Sequence, residues 1–180
     1  MIEPVNLGSF GDITVRRTCV EKALRNEQCF PYFIREVSSL KLLNSADVPC
    51  VVQLQDVMDN GTIKLEKFDG DLLDYLPTTF NDVYRMTYQL LVTMCNMSQL
   101  HITHRDIKPD NVLTMRDGKR IALCDFGLTR YFSESEVPDQ TTPSVQTAQY
   151  RSPELIFSDL EGYDTFNPEN LDIWSLGVTV

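Results

Sequence analysis

The chain has 180 residues, 42% of them hydrophobic and 23% charged, with 26 acidic against 16 basic side chains and a formal net charge of −10. That apolar content supports a packed core and excludes wholesale disorder, while the acid excess argues against nucleic-acid binding, which needs basic surface. No run approaches about 18 consecutive apolar residues, and the opening MIEPVNLGSF lacks a basic stretch followed by an apolar one, so no membrane association and no secretory leader are expected.

Five cysteines, odd in number, scattered and never spaced as CxxC, read as reduced thiols rather than a disulfide framework or a zinc site. With the missing leader, they predict an intracellular protein of cytoplasm or nucleus.

In chain order, the first third reads as strands around one helix. Residues 12–16 and 19–22 are short, partly β-branched runs. If Arg17-Thr18 form a two-residue turn, Ile13 and Lys22 lie opposite each other on one sheet face. Residues 51–57 and 62–68 flank Asp59-Asn60-Gly61, a hairpin signal because Asn-Gly accepts positive φ. Between these hairpins Phe33, Val37, Leu40 and Leu43 fall on one helical face, and Glu36 lies within it. A carboxylate in an apolar stripe requires a partner or a raised pKa.

The remainder reads as helical with short inserted strands. Met86, Leu90, Met94, Met97 and His101 recur at helical spacing and predict a long helix over about 81–101 with a core-facing methionine stripe. Residues 112–115 and 120–125 bracket Asp117-Gly118 as another hairpin. The polar stretch 131–146 reads as a mobile loop. Asn167-Pro168-Glu169 marks a helix start that runs to Val180.

The chemistry-bearing residues concentrate in His104-Arg105-Asp106-Ile107-Lys108-Pro109-Asp110-Asn111. Asp125-Phe126-Gly127 begins nineteen residues after Asp106, and Ser152-Pro153-Glu154 follows. This ordered set resembles the catalytic loop, magnesium loop and APE-type segment of eukaryotic protein kinases of the serine/threonine class. The resemblance covers essentially the whole chain and implies a partial kinase domain over 1–180. The implied fold class is α+β, two-lobed and protein-kinase-like. It has a small β-rich N-lobe with one helix over 1–67, and a mainly helical C-lobe over 68–180 that is C-terminally truncated.

The implied activity is ATP- and Mg2+-dependent transfer of the γ-phosphate to Ser/Thr hydroxyls of a protein substrate. Phosphoryl transfer depends on positioning and charge neutralisation. By resemblance, Asp106 orients the attacking hydroxyl and accepts its proton, Lys108 contacts the transferred phosphate, and Thr147 bonds near both. Asn111 and Asp125 supply hard oxygen ligands for magnesium. His104 supports packing and backbone, and Asp172 anchors the catalytic loop.

For the nucleotide, Asn6-Leu7-Gly8-Ser9-Phe10-Gly11-Asp12-Ile13 resembles the glycine loop with Asn in place of the first Gly. There Gly8 and Gly11 permit close backbone approach. Val20-Glu21-Lys22 resembles the strand carrying the phosphate-binding lysine, with Glu36 as its ion-pair partner. A solvent-facing lysine is the alternative, because the strand connection is shorter than usual. Leu65 falls at the gatekeeper, the backbone of Glu66 to Phe68 at the adenine-binding hinge, and Leu113 at the floor beneath the base. Cys124 either faces the nucleotide pocket or is an inert core thiol.

Ile34-Arg35-Glu36, the run Asp125 to Arg130, and Tyr150-Arg151-Ser152-Pro153-Glu154 resemble the cyclin-dependent and mitogen-activated kinase group, which implies a cyclin-like activator. Gln149, where an aromatic is usual, and a shortened helix region depart from it. The compressed N-lobe resembles kinases of large DNA viruses and so suggests a viral protein in a host cell. Arg35, Arg105 and Arg130 match arginines that converge on an activation-loop phosphothreonine, here Thr142. The competing pairing is with the loop acids Glu134, Glu136 and Asp139. The rival expectation for the whole chain is an inactive binding module or scaffold, motivated by the altered glycine loop, the short connection before Lys22 and the truncation.

Overall fold

The computed structural model describes residues 3–7, 11–132, 147–156 and 168–180. Five strands form the first sheet: β1 (Glu3–Leu7), β2 (Gly11–Val15), β3 (Cys19–Leu24), β4 (Leu54–Met58) and β5 (Thr62–Glu66), in the order β1-β2-β3-β5-β4. The β2–β3 turn is the tight one expected. The Arg16 N–H donates to the Cys19 carbonyl at 2.9 Å, and Ile13 faces Lys22 in register. The next hairpin turns at Gly61, whose φ of 75° suits glycine.

The expected strand from residue 51 starts at Leu54 instead. Cys50 sits at a φ of 52°, which redirects the chain. Residues 50–52 then bond to the second lobe: Leu123 N–H donates to Cys50 C=O at 2.8 Å, and Val52 N–H to Leu123 C=O at 3.0 Å. Their ladder groups are therefore spent between lobes.

Helix α1 (Phe30–Ser45) follows a short turn capped by Asn26, and Pro31 occupies its first turn. Val37, Leu40 and Leu43 are buried on one face, and Glu36 is buried among them at 2% exposure. That face packs on the turn at 126–128, which carries Phe126 into the core.

The second lobe is built on α2 (Phe80–Gln99), which starts where Thr79 Oγ1 accepts from the Asp82 N–H. Met86, Leu90, Met94 and Met97 are buried. His101 lies beyond the helix rather than in its stripe. At a φ of 56° it stops the helical run, and its exposed ring meets Phe132 edge-on.

Short strands β6 (Gly70–Asp71), β8 (Val112–Thr114) and β9 (Ile121–Leu123) form one small sheet. Strands β7 (Ile102–Thr103) and β10 (Arg130–Tyr131) pair as another. Tyr131 is thus in a strand, while 133–146 of the expected loop lie outside the described residues. Helix α3 (Pro168–Thr179) closes the chain and starts at the proline expected. One apolar cluster runs from Leu40 and Ile63 through Leu90 and Met97 to Leu123, Phe126 and Leu176, so both lobes share a core. The result is a bilobal fold, β-rich first and largely helical after. Among the described residues, no helix is long and apolar enough to cross a membrane.

Candidate active site

Residues 104–111 link β7 to β8, and their backbone is set by a carboxylate from the far end of the chain. Asp172 on α3 accepts the N–H of His104 at 2.6 Å and of Arg105 at 2.8 Å. The clasp holds Arg105 at a φ of 66°, which is costly for a non-glycine residue. Burial pushes the Asp172 carboxyl up, against those two bonds and nearby cations. His104, fully buried, accepts the Asp106 N–H at Nδ1 (3.2 Å), so Nε2 carries the proton to the Cys124 carbonyl at 2.9 Å. Its edge rests on Phe126. The ring braces two loops and does not face the reacting region.

Four side chains close on one another at Asp106. Its Oδ1 accepts from the Thr147 hydroxyl at 3.0 Å and the Thr147 N–H at 3.2 Å. Its Oδ2 accepts from Asn111 Nδ2 at 2.9 Å and lies 3.0 Å from Lys108 Nζ. Lys108 also donates to Thr147 Oγ1 at 2.9 Å. Asn111 Nδ2 further donates to the Asp106 carbonyl at 2.7 Å. Both amide hydrogens are thereby used, so the donor atom Asn111 can offer a cation is its oxygen.

The second constellation gathers three charges. Lys22 Nζ lies 2.7 Å from Glu36 and 2.8 Å from Asp125. Burial opposes the Lys22 charge, yet the two carboxylates outweigh it and raise its pKa. The carboxylates share the cation unequally: burial pushes Glu36 up, whereas Lys22 overcomes burial to hold Asp125 below its usual range. Asp125 adopts a φ of 61°, which turns its side chain back toward Lys22. Among the described residues no group of three or more His, Cys, Asp and Glu side chains could hold a metal by itself. One carboxylate and one amide oxygen suit a hard cation that takes its remaining oxygens from phosphates and water.

Around this centre, β5 ends at Glu66, whose N–H donates to the Gln53 carbonyl at 2.9 Å, and Phe68 is buried. Leu113 on β8 pairs with Asp71 and Ala122. Gly8 lies outside the described residues. A Cβ on Gly11 would stand 2.8 Å from the Ala23 carbonyl and 3.1 Å from Lys22 Cγ. This glycine is thus required by close packing on β3, over Lys22. Cys124 is partly covered, and burial first, then Asp125, pushes its thiol pKa up. That environment favours the inert alternative.

The three arginines also converge. Arg35 donates to the Gly127 carbonyl at 3.1 Å and Arg105 to the Leu128 carbonyl at 2.9 Å. Burial, with Arg130 and Arg35 nearby, lowers the Arg105 pKa to about 10. Thr142 and the acids at 134, 136 and 139 lie outside the described residues. Sequence reasoning did not single out Arg120, whose guanidinium pairs with Glu66 and covers Phe68. The signal was a basic residue just before β9 in the hairpin around Asp117-Gly118, where its partner across the lobes was not readable.

Residues 12–180 match the protein kinase domain family. The chain is 37% identical over 153 residues to cell division control protein 2 homolog 2 of Trypanosoma brucei brucei, covering 80% of this chain and 41% of that protein. It is 30% identical over 184 residues to a stress-activated protein kinase JNK of Suberites domuncula, covering 94% and 47%. It is 34% identical over 153 residues to cyclin-dependent kinase 17 of Caenorhabditis elegans, covering 80% and 21%. The chain thus spans less than half the length of each of these three. With its bilobal fold, the chain belongs to the protein kinase domain family, as a homologue of several serine/threonine kinases.

Proposed function

We propose that this chain carries the phosphotransfer site of an ATP- and magnesium-dependent protein serine/threonine kinase. The observation that carries the reading is the closed set Asp106, Lys108, Asn111 and Thr147, in which each side chain is bonded to another of the set. A carboxylate held by three neighbours is fixed in position to orient a substrate hydroxyl and take its proton at a carboxylate oxygen. Lys108 stands beside it to neutralise charge developing on the transferred group. Lys22, positioned by Glu36, faces the nucleotide side, with Asp125 next to it. Magnesium, when bound, neutralises phosphate charge, and Asn111 and Asp125 are the residues suited to hold it. Glu66 to Phe68 and Leu113 would receive the base, with Gly8, Gly11 and Ile13 above it.

Four matched relatives carry cyclin-dependent, cell-division-control and mitogen- or stress-activated kinase names beside one named serine/threonine-protein kinase MRCK beta, and the four support that grouping for the subfamily. A cyclin-like activator would act on an α1 whose Glu36 already meets Lys22. The arginine cluster supports a phosphate-ordered loop, with Thr142 as the residue to carry it. The test is transfer of labelled γ-phosphate from ATP to a protein acceptor by the full-length gene product, beside its Asp106→Asn variant, with ATP binding measured separately. Transfer by the wild type, and retained ATP binding with transfer reduced by about 10²–10³ in the variant, supports the reading. Binding without transfer in the wild type would favour the scaffold.

A further inference from the structure

The segment 66–68 is gripped from both lobes by two basic side chains that no catalytic role above uses. Lys67 Nζ donates to the Arg16 carbonyl at 2.9 Å, a partly buried bond between positions 51 apart. Arg16 opens the tight β2–β3 turn and is itself fixed. Its N–H bonds Cys19 C=O, and its guanidinium bonds Glu21 at 2.9 Å. Arg120 approaches from the other lobe, one residue before β9. Its Nη2 lies 2.5 Å from Glu66 Oε1, and its guanidinium carbon stands 5.2 Å from the centre of the Phe68 ring. Glu66 is further held by its N–H bond to Gln53. Each of the three residues thus has its own tether.

An exposed ion pair by itself contributes little. Here the Arg120 side chain is 54% exposed, but the Glu66 side chain beneath it is only 18% exposed and Phe68 only 7%, so the guanidinium covers a carboxylate and a ring that are themselves largely dehydrated. Hydrogen bonds from a backbone to a planar base tolerate little angular error. A segment ordered before binding therefore binds more tightly than one ordered by it. Neither cation needs to touch the nucleotide to have this effect.

We propose that Lys67 and Arg120 are positioning residues that preset the hinge backbone for the adenine base, and so govern nucleotide affinity without acting on phosphate transfer. This rests on the reading of the site as an ATP site and specifies how its base-binding edge is held.

The experiment uses the full chain and displacement of a fluorescent ADP analogue by ATP, with kcat and KM measured in parallel. Lys67→Met and Arg120→Met should each weaken ATP about three- to tenfold, and in Arg120→Met, which lies outside the binding segment, kcat should stay within about twofold, the pattern of lost preorganisation. Lys67→Arg, which can still reach the Arg16 carbonyl, should restore wild-type affinity. Arg120→Lys, which keeps the charge but not the planar fork, should restore only part of it. Inorganic tripolyphosphate, which lacks the base, should bind every variant as it binds the wild type. Wild type binding ATP with both Met variants unchanged would overturn this inference alone. So would tripolyphosphate weakened in parallel with ATP, or kcat of Arg120→Met falling with its affinity, since either indicates a general structural effect. Wild type failing to bind ATP would overturn the reading of the site, and this inference with it.

Discussion

At the scale of single residues the decisive feature is one ammonium between a buried acid, Glu36, and a partly buried one, Asp125. Lys22→Met would leave Glu36 and Asp125 without their shared cation. Transfer should fall by about 10²–10³, and stability by about 3–5 kcal/mol, the usual cost of stranding a buried charge. Single-turnover transfer and urea denaturation measure the two losses separately. Glu36→Gln should be milder in denaturation, because burial already disfavours the charged carboxyl there. Cys124 supplies a second test at this scale. With its thiol pKa raised by burial, an acrylamide-type electrophile at neutral pH should leave it unmodified in mass spectrometry, with or without ATP. An ATP-protectable adduct would contradict that.

The Lys22–Glu36 contact was legible in the sequence, because a two-residue turn fixes register and an acid in an apolar stripe demands a partner. The Lys22–Asp125 contact spans 103 positions and depends on a left-handed backbone at Asp125. No local pattern announces either.

At the scale of elements, the structure matches the sequence best where periodicity is long and worst where strands are short. The methionine stripe of α2 and the Pro168 start of α3 were readable to within a residue or two. Two-residue strands such as β7 and β10 have no period to read, and Val51 looks like a strand residue yet spends its bridge on Leu123. The start of α2 yields a pH prediction. The Thr79 hydroxyl first, then Arg85, lowers the Asp82 carboxyl, so its contribution is present above the unfolded value of about 3.9 and is lost as pH falls through the lower folded value. Asp82→Ala should therefore reduce Tm at neutral pH, and the gap from wild type should close in acid. Thermal melts from pH 7 to pH 2 check this, and a gap independent of pH would refute it. The Asp172 clasp is more demanding. Asp172→Ala strands two backbone N–H groups in a buried site, and the expected loss is about 2–5 kcal/mol in chemical denaturation.

At the scale of the whole molecule, the apolar surface is uneven. Ile173, Trp174 and Val178 on α3 are exposed, as is Ile156 in the same lobe. Exposed apolar residues of this kind favour association. The 180-residue chain should therefore sediment as concentration-dependent species, and Ile173→Glu with Val178→Glu should shift it toward monomer. Trp174 is the single tryptophan, so its fluorescence should be quenched freely by acrylamide in the monomer and less in the associated form.

The Asp172 clasp also has a consequence in time. A ribosome delivers His104 and Arg105 well before Asp172, which lies 68 and 67 positions later. Until that carboxylate emerges, the backbone N–H groups of His104 and Arg105 lack the acceptor that fixes the strained turn preceding Asp106. The first lobe can assemble early from its local hairpins. The turn that carries Asp106 therefore takes its final shape only after α3 has been made and has docked.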